Sequence, residues 1–314
     1  MKIVFLDRDS LLAEVRRPAC AAEWYEYSAT LPDQVVERLQ GAEVVITNKV
    51  PITAAMLAQL PQLRLVAVAA TGVNPVDLAA CRQQGVMVSN IRDYAVHSVP
   101  EHVLMLMLNL RRNFLAYRRD VLAGEWQRAS QFCLLTHPIQ DISGSVLGIV
   151  GRGSIGLSVA RMAEALGMRV LVAEHKNSDV VRDGYTAFAE MLRQSDVVSL
   201  HCPLNDMTRG LIGAAELALM QSHALLINTA RGGLVDEPAL LQALQGGRLG
   251  GAGFDVLSSE PPTGGNILLE ADLPNLIVTP HIAWASRQAM QTLADQLIDN
   301  IDAFARGELR NRVV

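Results

Sequence analysis

The stretch Val146–Glu174, VLGIVGRGSIGLSVARMAEALGMRVLVAE, decides the fold. It opens with an apolar run, Val146 to Val150, of the length of a buried strand. The turn Gly151-Arg152-Gly153-Ser154-Ile155-Gly156 follows, with the spacing G-x-G-x-x-G. Apolar Ile155, Val159, Met162 and Leu166 then recur at steps of three or four, which predicts a helix. Gly167 supplies a residue able to adopt the left-handed conformation that stops it. A second apolar run, Val170 to Ala173, ends in Glu174.

Each part of this strand–turn–helix–strand unit has a physical job. Gly151 permits a tight turn, Gly153 lets backbone approach a pyrophosphate, and Gly156 lets helix and strand pack closely. A helix N-terminus offers unpaired N–H groups and partial positive charge to phosphate. An acidic residue about twenty positions on can bond a ribose diol. Glu174 stands there and favours NAD, because a carboxylate repels the 2′-phosphate of NADP. His175 and Lys176 follow directly, and a cation in that place would tolerate the phosphate, so NADP stays open as the alternative. Lys176 reads equally well as a solvated loop lysine.

With 314 residues, half of them hydrophobic, the chain is long enough for two domains with buried cores. A net charge of −5 without a basic block argues against a nucleic-acid partner. Cys20, Cys81, Cys133 and Cys202 form no C-x-x-C pair, which argues against a disulfide framework or a metal site and fits a reducing cytoplasm. The start, MKIVFLDRDS, reads as a first strand rather than a signal peptide. The longest apolar run, Val103 to Leu108, is far shorter than a membrane span.

Ahead of the glycine turn, strand patterns (Ile3–Leu6, Val44–Thr47, Leu65–Ala69, Val86–Ser89) alternate with helical ones (Leu31–Leu39, Thr53–Leu60, Val76–Gln84). That alternation predicts a small parallel α/β unit with no phosphate-binding turn of its own. Near Ser98 the pattern changes. Val99 to Leu110 is apolar almost all round, which predicts a buried helix, capped by Ser98. The segment Gly124–Thr136, GEWQRASQFCLLT, has no clean period, and its aromatics suit either a partner subunit or a cover over its own domain. Beyond the turn, strands are expected at Val197–Leu200, Leu225–Asn228, Gly251–Asp255 and Ile277–Val278. The whole is an α/β chain of two Rossmann-like domains with doubly wound parallel sheets. The tail helix Ser286–Phe304 can return to the first domain and make it discontinuous: residues 1–97 with 286–314, and residues 98–285.

Ligands of such sheets sit beyond the strand ends. Three ionisable residues stand there: Arg231 in NTARGGLVDE, Glu260 after DVLSS, and His281 in VTPHIAWAS. Arg binds a carboxylate bidentately. His moves a proton near neutral pH, and a neighbouring carboxylate favours its protonated form. The trio describes a site for a 2-hydroxy or 2-keto acid, although each residue alone is also an ordinary polar group at a strand end.

The ordered motifs GRGSIG, HCPLNDMTRGLI, NTARGGLVDE, DVLSSEPP and TPHIAWAS resemble the D-2-hydroxyacid dehydrogenase family over nearly the whole chain. The resemblance implies that Arg231, Glu260 and His281 are catalytic. It implies that Gly151, Arg152, Gly153, Ser154, Ile155 and Gly156 hold the pyrophosphate, and that Glu174, with His175 and Lys176, meets the adenosine ribose. Asp255 would meet the nicotinamide carboxamide, and Ser98, His201, Pro203, Thr208, Thr229 and Ala230 would line the cofactor. Thr71, Gly72 and Val73 would bind the substrate carboxylate, with Lys49 and Trp284 as further pocket residues, and the family is commonly dimeric. TNKVPIT, SVPEH and HIAWAS resemble its glycerate dehydrogenase/hydroxypyruvate reductase branch. The expected reaction is reduction of hydroxypyruvate, and of glyoxylate, by hydride transfer with His281 as proton donor. A general 2-keto acid or D-lactate-type reductase, and a non-enzymatic NAD-sensing protein of the same shape, are the alternatives. Pro75, where many relatives carry a polar residue, reshapes the loop after Gly72.

Overall fold

Ten of the eleven strands are anticipated by runs of apolar residues. The eleventh is not. A computed structural model describes residues 1–314 and divides the chain into two units, Met1–Tyr94 with Ala285–Val314, and Ala95–Trp284.

In the first unit, β1 (Lys2–Phe5), β2 (Glu23–Glu26), β3 (Val44–Thr47), β4 (Leu65–Val68) and β5 (Met87–Ser89) form one parallel sheet, ordered β2-β1-β3-β4-β5. β3 and β4 are buried on both faces, which is why they are continuous apolar runs. The unanticipated strand is β2, EWYE: it lies at the sheet edge, is mostly exposed and so shows no apolar signal. Helices α1 (Val35–Arg38), α2 (Ala54–Leu57) and α3 (Leu78–Gln84) join the strands. Thr53 caps α2, and Asp77 caps α3. The tail helix of this unit runs over Arg287–Ala305, with Ser286 accepting the amide of Ala289 at its cap. Its buried Leu293, Leu297, Ile298 and Ile301 recur at helical spacing, and Asn300 Nδ2 donates to the Asn90 carbonyl at 2.9 Å.

The second unit begins with α4 (Ser98–Arg111), α5 (Phe114–Leu122) and α6 (Glu125–Arg128). Its sheet is β6 (Val146–Val150), β7 (Arg169–Val172), β8 (Val197–Leu200), β9 (Leu225–Asn228), β10 (Gly251–Phe254) and β11 (Leu276–Val278), all parallel, ordered β11-β10-β9-β8-β6-β7. The crossovers carry α7 (Ser154–Ala165), α8 (Phe188–Gln194), α9 (Ala214–Leu217), α10 (Glu237–Gln245) and α11 (Ile267–Glu270), so the tail helix is α12. Helix α4 packs on β9 and β10, where Gly253 makes room: a Cβ there would lie 3.0 Å from the Leu106 Cβ. Two expectations for α4 are corrected. It is buried along one face only, with Met105 and Leu108 exposed. Ser98 is its first helical residue rather than its cap, and the Ser98 hydroxyl donates to the Ala283 carbonyl at 2.6 Å. No helix of the chain is long and apolar enough to cross a membrane.

Candidate active site

In the second unit the order of connection reverses between β6 and β8, the switch point at which open parallel sheets bind ligands. The glycine turn lies at the end of β6. Gly151 has φ +103°, and a Cβ on it would come within 2.6 Å of the His201 carbonyl oxygen at the end of β8. A Cβ on Gly156 would lie 2.1 Å from the Gly151 oxygen. Gly153 differs: nothing lies within 4 Å of where its Cβ would be, and it precedes α7 without a side-chain cap. Two glycines thus fit backbone against backbone, and the third leaves open space in front of the uncapped amides of a twelve-residue helix. That space and those donors suit a pyrophosphate. Beside it, at the end of β9, the buried Thr229 hydroxyl has no partner within the protein, as expected of a group that a bound ligand satisfies.

Glu174 follows β7 as expected, but its carboxylate is engaged. Arg182 Nε donates to Oε2 at 2.7 Å and Arg182 Nη2 to Oε1 at 2.6 Å, while the amides of His175 and Arg182 donate at 2.8 and 3.1 Å. The Arg182 guanidinium, and then the His175 amide, hold the Glu174 carboxyl down at about 2. The Lys176 ammonium is turned to the Glu216 carboxylate at 2.9 Å and the Leu211 carbonyl at 3.1 Å. His201 packs its ring where burial pushes the imidazole down to about 4, with Nε2 2.9 Å from the Ser199 hydroxyl.

The three adjacent strands β9, β10 and β11 deliver Arg231, Glu260 and His281 beyond their C-terminal ends. His281 and Glu260 meet directly: Nδ1 donates to Oε2 at 2.5 Å, which leaves Nε2 as the ring's other proton-carrying atom. The Leu257 amide donates to the other Glu260 oxygen at 2.8 Å. His281 sits at φ +56°, an uncommon conformation for an L-residue. Asp255 ties the loop on both sides of it. One oxygen accepts from the Thr279 hydroxyl at 2.6 Å and the Ile282 amide at 2.9 Å, and the other from the Ala283 amide at 2.8 Å. Asp255 is therefore a brace for the His281 loop, wholly enclosed, rather than an exposed carboxylate. Trp284 is a second brace, its Nε1 donating to the His281 carbonyl at 3.0 Å. Arg231 is turned by Asn228, whose side-chain amide donates to the Arg231 carbonyl at 2.9 Å and whose oxygen accepts from the Ala230 amide at 3.1 Å. Gly232 then touches the next loop so closely that a Cβ would overlap the Leu257 carbonyl, at 2.0 Å from its oxygen.

Sequence reading alone missed three supporting residues. Glu237, buried in α10, accepts from the Ser258 amide and hydroxyl and from the Asn266 side chain, which fixes the loop that carries Glu260. His102 of α4 places Nε2 3.0 Å from the Thr279 hydroxyl, and burial lowers its pKa against the opposing Asp255 charge. Arg182 lies in a loop without periodicity. Of these Glu237 and His102 had a signal, as the last residues of NTARGGLVDE and SVPEH, and Arg182 had none. Other expected contacts are placed differently. The Ser98 hydroxyl is spent on Ala283, and the Thr208 hydroxyl donates to the Pro203 carbonyl at 2.6 Å and closes its own turn. In the first unit, Thr71 Oγ1 donates to the Ile91 carbonyl at 2.8 Å and the Lys49 amide donates to Asp7 at 2.7 Å, with Gly72 and Val73 in the loop after β4.

Comparison with known proteins agrees with this geometry. Residues 104–283 match the family model described as D-isomer specific 2-hydroxyacid dehydrogenase, NAD binding domain. The chain is 56% identical to glycerate dehydrogenase of Methylorubrum extorquens, over 99% of this chain and 98% of that one. It is 35% identical to hydroxypyruvate reductase of Blautia hydrogenotrophica, over 91% and 89%. Among solved structures, D-lactate dehydrogenase from Aquifex aeolicus, complexed with NAD and lactic acid, aligns with a TM-score of 0.83 at 27% identity, over 100% and 99%.

Proposed function

Since this chain belongs to the D-isomer specific 2-hydroxyacid dehydrogenases, NAD-dependent oxidoreductases, we propose that it reduces hydroxypyruvate to D-glycerate and accepts glyoxylate as a second substrate. The observation that carries the chemistry is the His281–Glu260 pair held at 2.5 Å on a braced left-handed loop. Residues 151–156 would hold the coenzyme, which in its reduced form would supply the hydride to the substrate's C2 and in its oxidised form would accept it. The remaining work falls to side chains. Arg231 is suited to grip the 2-keto acid through its guanidinium. Protonated His281 gives the proton on Nε2 to the forming alkoxide, and Glu260 stabilises the imidazolium that does so. In the oxidative direction the neutral ring takes the proton back. Thr71, Gly72, Val73 and Lys49 of the first unit, and Trp284 of the second, are proposed substrate-binding residues. The Pro75 carbonyl accepts from the Ile52 amide at 2.8 Å, which ties down the loop after Gly72.

We further propose a homodimer joined through the exposed apolar residues of α5, α6 and the segment after them, including Leu122, Trp126, Phe132 and Leu135. Four unpaired thiols fit a reducing cytoplasm.

Initial rates with NADH against hydroxypyruvate, glyoxylate, pyruvate and phenylpyruvate test the substrate. The expected result is a kcat/KM on hydroxypyruvate at least about tenfold above pyruvate, the size of preference a site built to hydrogen-bond an extra hydroxyl produces readily. NADH binding without turnover of any of the four would favour a NAD-sensing protein instead.

A further inference from the structure

The loop between β10 and α11 carries Glu260, yet it has no core of its own: no residue from Leu257 to Ile267 is buried. Apolar packing therefore does not set its path, and polar ties do. One side chain supplies them near both ends. Glu237, the first residue of α10, is 6% exposed. Its Oε1 accepts from the Ser258 amide at 2.6 Å, and its Oε2 from the Ser258 hydroxyl at 2.9 Å and the Asn266 side-chain amide at 2.8 Å. All three donors are neutral, and the place at a helix N-terminus favours the negative charge. Ser258 stands two residues before Glu260, and Asn266 six after it.

Two of these donors cannot turn round. Ser258 presents a backbone N–H. The Asn266 oxygen already accepts from the Leu268 amide at 2.9 Å and caps α11, so only the side-chain NH2 faces Glu237. Each oxygen of Glu237 thus meets a fixed N–H, and a glutamine there would set donor against donor in either orientation. Glu237 also belongs to the segment of Arg231, where Gly232 packs against the Leu257 carbonyl. We propose that Glu237 is a positioning residue for the reaction: as a carboxylate it holds the loop so that Glu260 reaches His281 beside Arg231. It acts through Glu260, not on the reacting atoms. The proposal rests on the reading of Glu260 and His281 as the proton-transfer pair.

The test is turnover of hydroxypyruvate with NADH, beside the NADH dissociation constant from fluorescence titration. Glu237→Gln should lower kcat about tenfold or more, the scale of one mispaired buried donor, and leave the NADH constant within about threefold. Asn266→Asp sets two carboxylates face to face and should lower kcat as well. Combining the two changes restores a donor to an acceptor, since the new carboxylate still has an oxygen for the cap of α11. Its kcat should return to within about threefold of wild type. In a Glu260→Ala background nothing is left to position, and Glu237→Gln should cost less than about twofold more, a loss of additivity that a merely structural contact does not produce. Wild-type kcat in Glu237→Gln, or full multiplication of its loss with that of Glu260→Ala, would overturn the proposal alone. So would a combined variant that is unfolded or no more active than either single change, and this variant decides if Glu237→Gln does not fold. Wild-type kcat in Glu260→Ala would overturn the reading of the pair, and the proposal with it.

Discussion

In the proposed mechanism His281 acts through one nitrogen because Glu260 occupies the other. Replacing His281 with Ala should lower kcat for hydroxypyruvate by about 10²–10⁴, the range typical of a lost general acid, while the NADH dissociation constant stays within about threefold. Glu260→Gln keeps the hydrogen bond but removes the charge, and should fall between wild type and His281→Ala. Equal turnover in His281→Ala would remove His281 from the mechanism. His201 yields a prediction of another kind. Its imidazole takes up a proton near 6.5 when unfolded but only near 4 when folded, because burial disfavours the charged ring. Above pH 6.5 the difference has no effect. Stability is lost as pH falls from 6.5 to 4 and levels off below that. At pH 5 the loss is at most about 2 kcal/mol. Urea midpoints at pH 7.5 and pH 5 should therefore converge in His201→Gln relative to wild type, and an unchanged gap would place the acid sensitivity elsewhere. These two histidines mark what single residues reveal in sequence. His281 stands in a motif at a strand end. Arg182 stands eight positions from the carboxylate it binds, in a loop whose path no periodicity fixes.

Strand ends and the loops beyond them were legible because both faces of each central strand are buried, which turns the strand into an unbroken apolar run. The edge strand β2 lacks that burial and lacks the signal. Loop bracing was not legible, since it depends on which loops meet. Asp255 is the case in point. Its position in GFDVLSSEPP marks it as a strand-end acid open to a ligand, whereas the fold closes the Thr279–Ala283 loop around it. Asp255→Ala should leave the buried Ala283 amide and the part-buried Ile282 amide without an acceptor, at a cost of about 2 kcal/mol in denaturant unfolding. Without the brace, His281 has no reason to hold φ +56°, so kcat should fall although His281 and Glu260 are both intact. A stable Asp255→Ala variant with wild-type kcat would mean that the loop keeps its shape through Trp284 and Ser98 alone.

At the scale of the whole molecule, composition and the single glycine turn already imply two α/β units, one of which carries the phosphate-binding geometry. The aromatics of the segment after α4 single it out in the sequence, but which of its side chains lie outside shows only in the structure, because the segment has no period to read. There α5, α6 and residues 129–139 turn Leu122, 71% exposed, and Phe132, 89% exposed, to solvent together with Trp126, Leu135 and Ile139. Trp126 Nε1 donates to the Phe132 carbonyl at 2.9 Å, so the segment holds a definite shape while its apolar side chains stay outside. Soluble chains rarely leave a contiguous apolar surface of this kind unpaired. A second copy of the chain meets the need most simply, since a two-fold axis lets one patch cover its own equivalent. Light scattering at micromolar concentration should then give twice the chain mass of 34.0 kDa. The double substitution Leu122→Asp and Phe132→Asp puts like charges at the centre of the patch and should return the mass to that of one chain. Its far-ultraviolet circular dichroism should stay unchanged, because neither side chain enters the core. A wild-type mass of 34.0 kDa under these conditions would refute the dimer, and a double variant that still assembles would place its interface on another face.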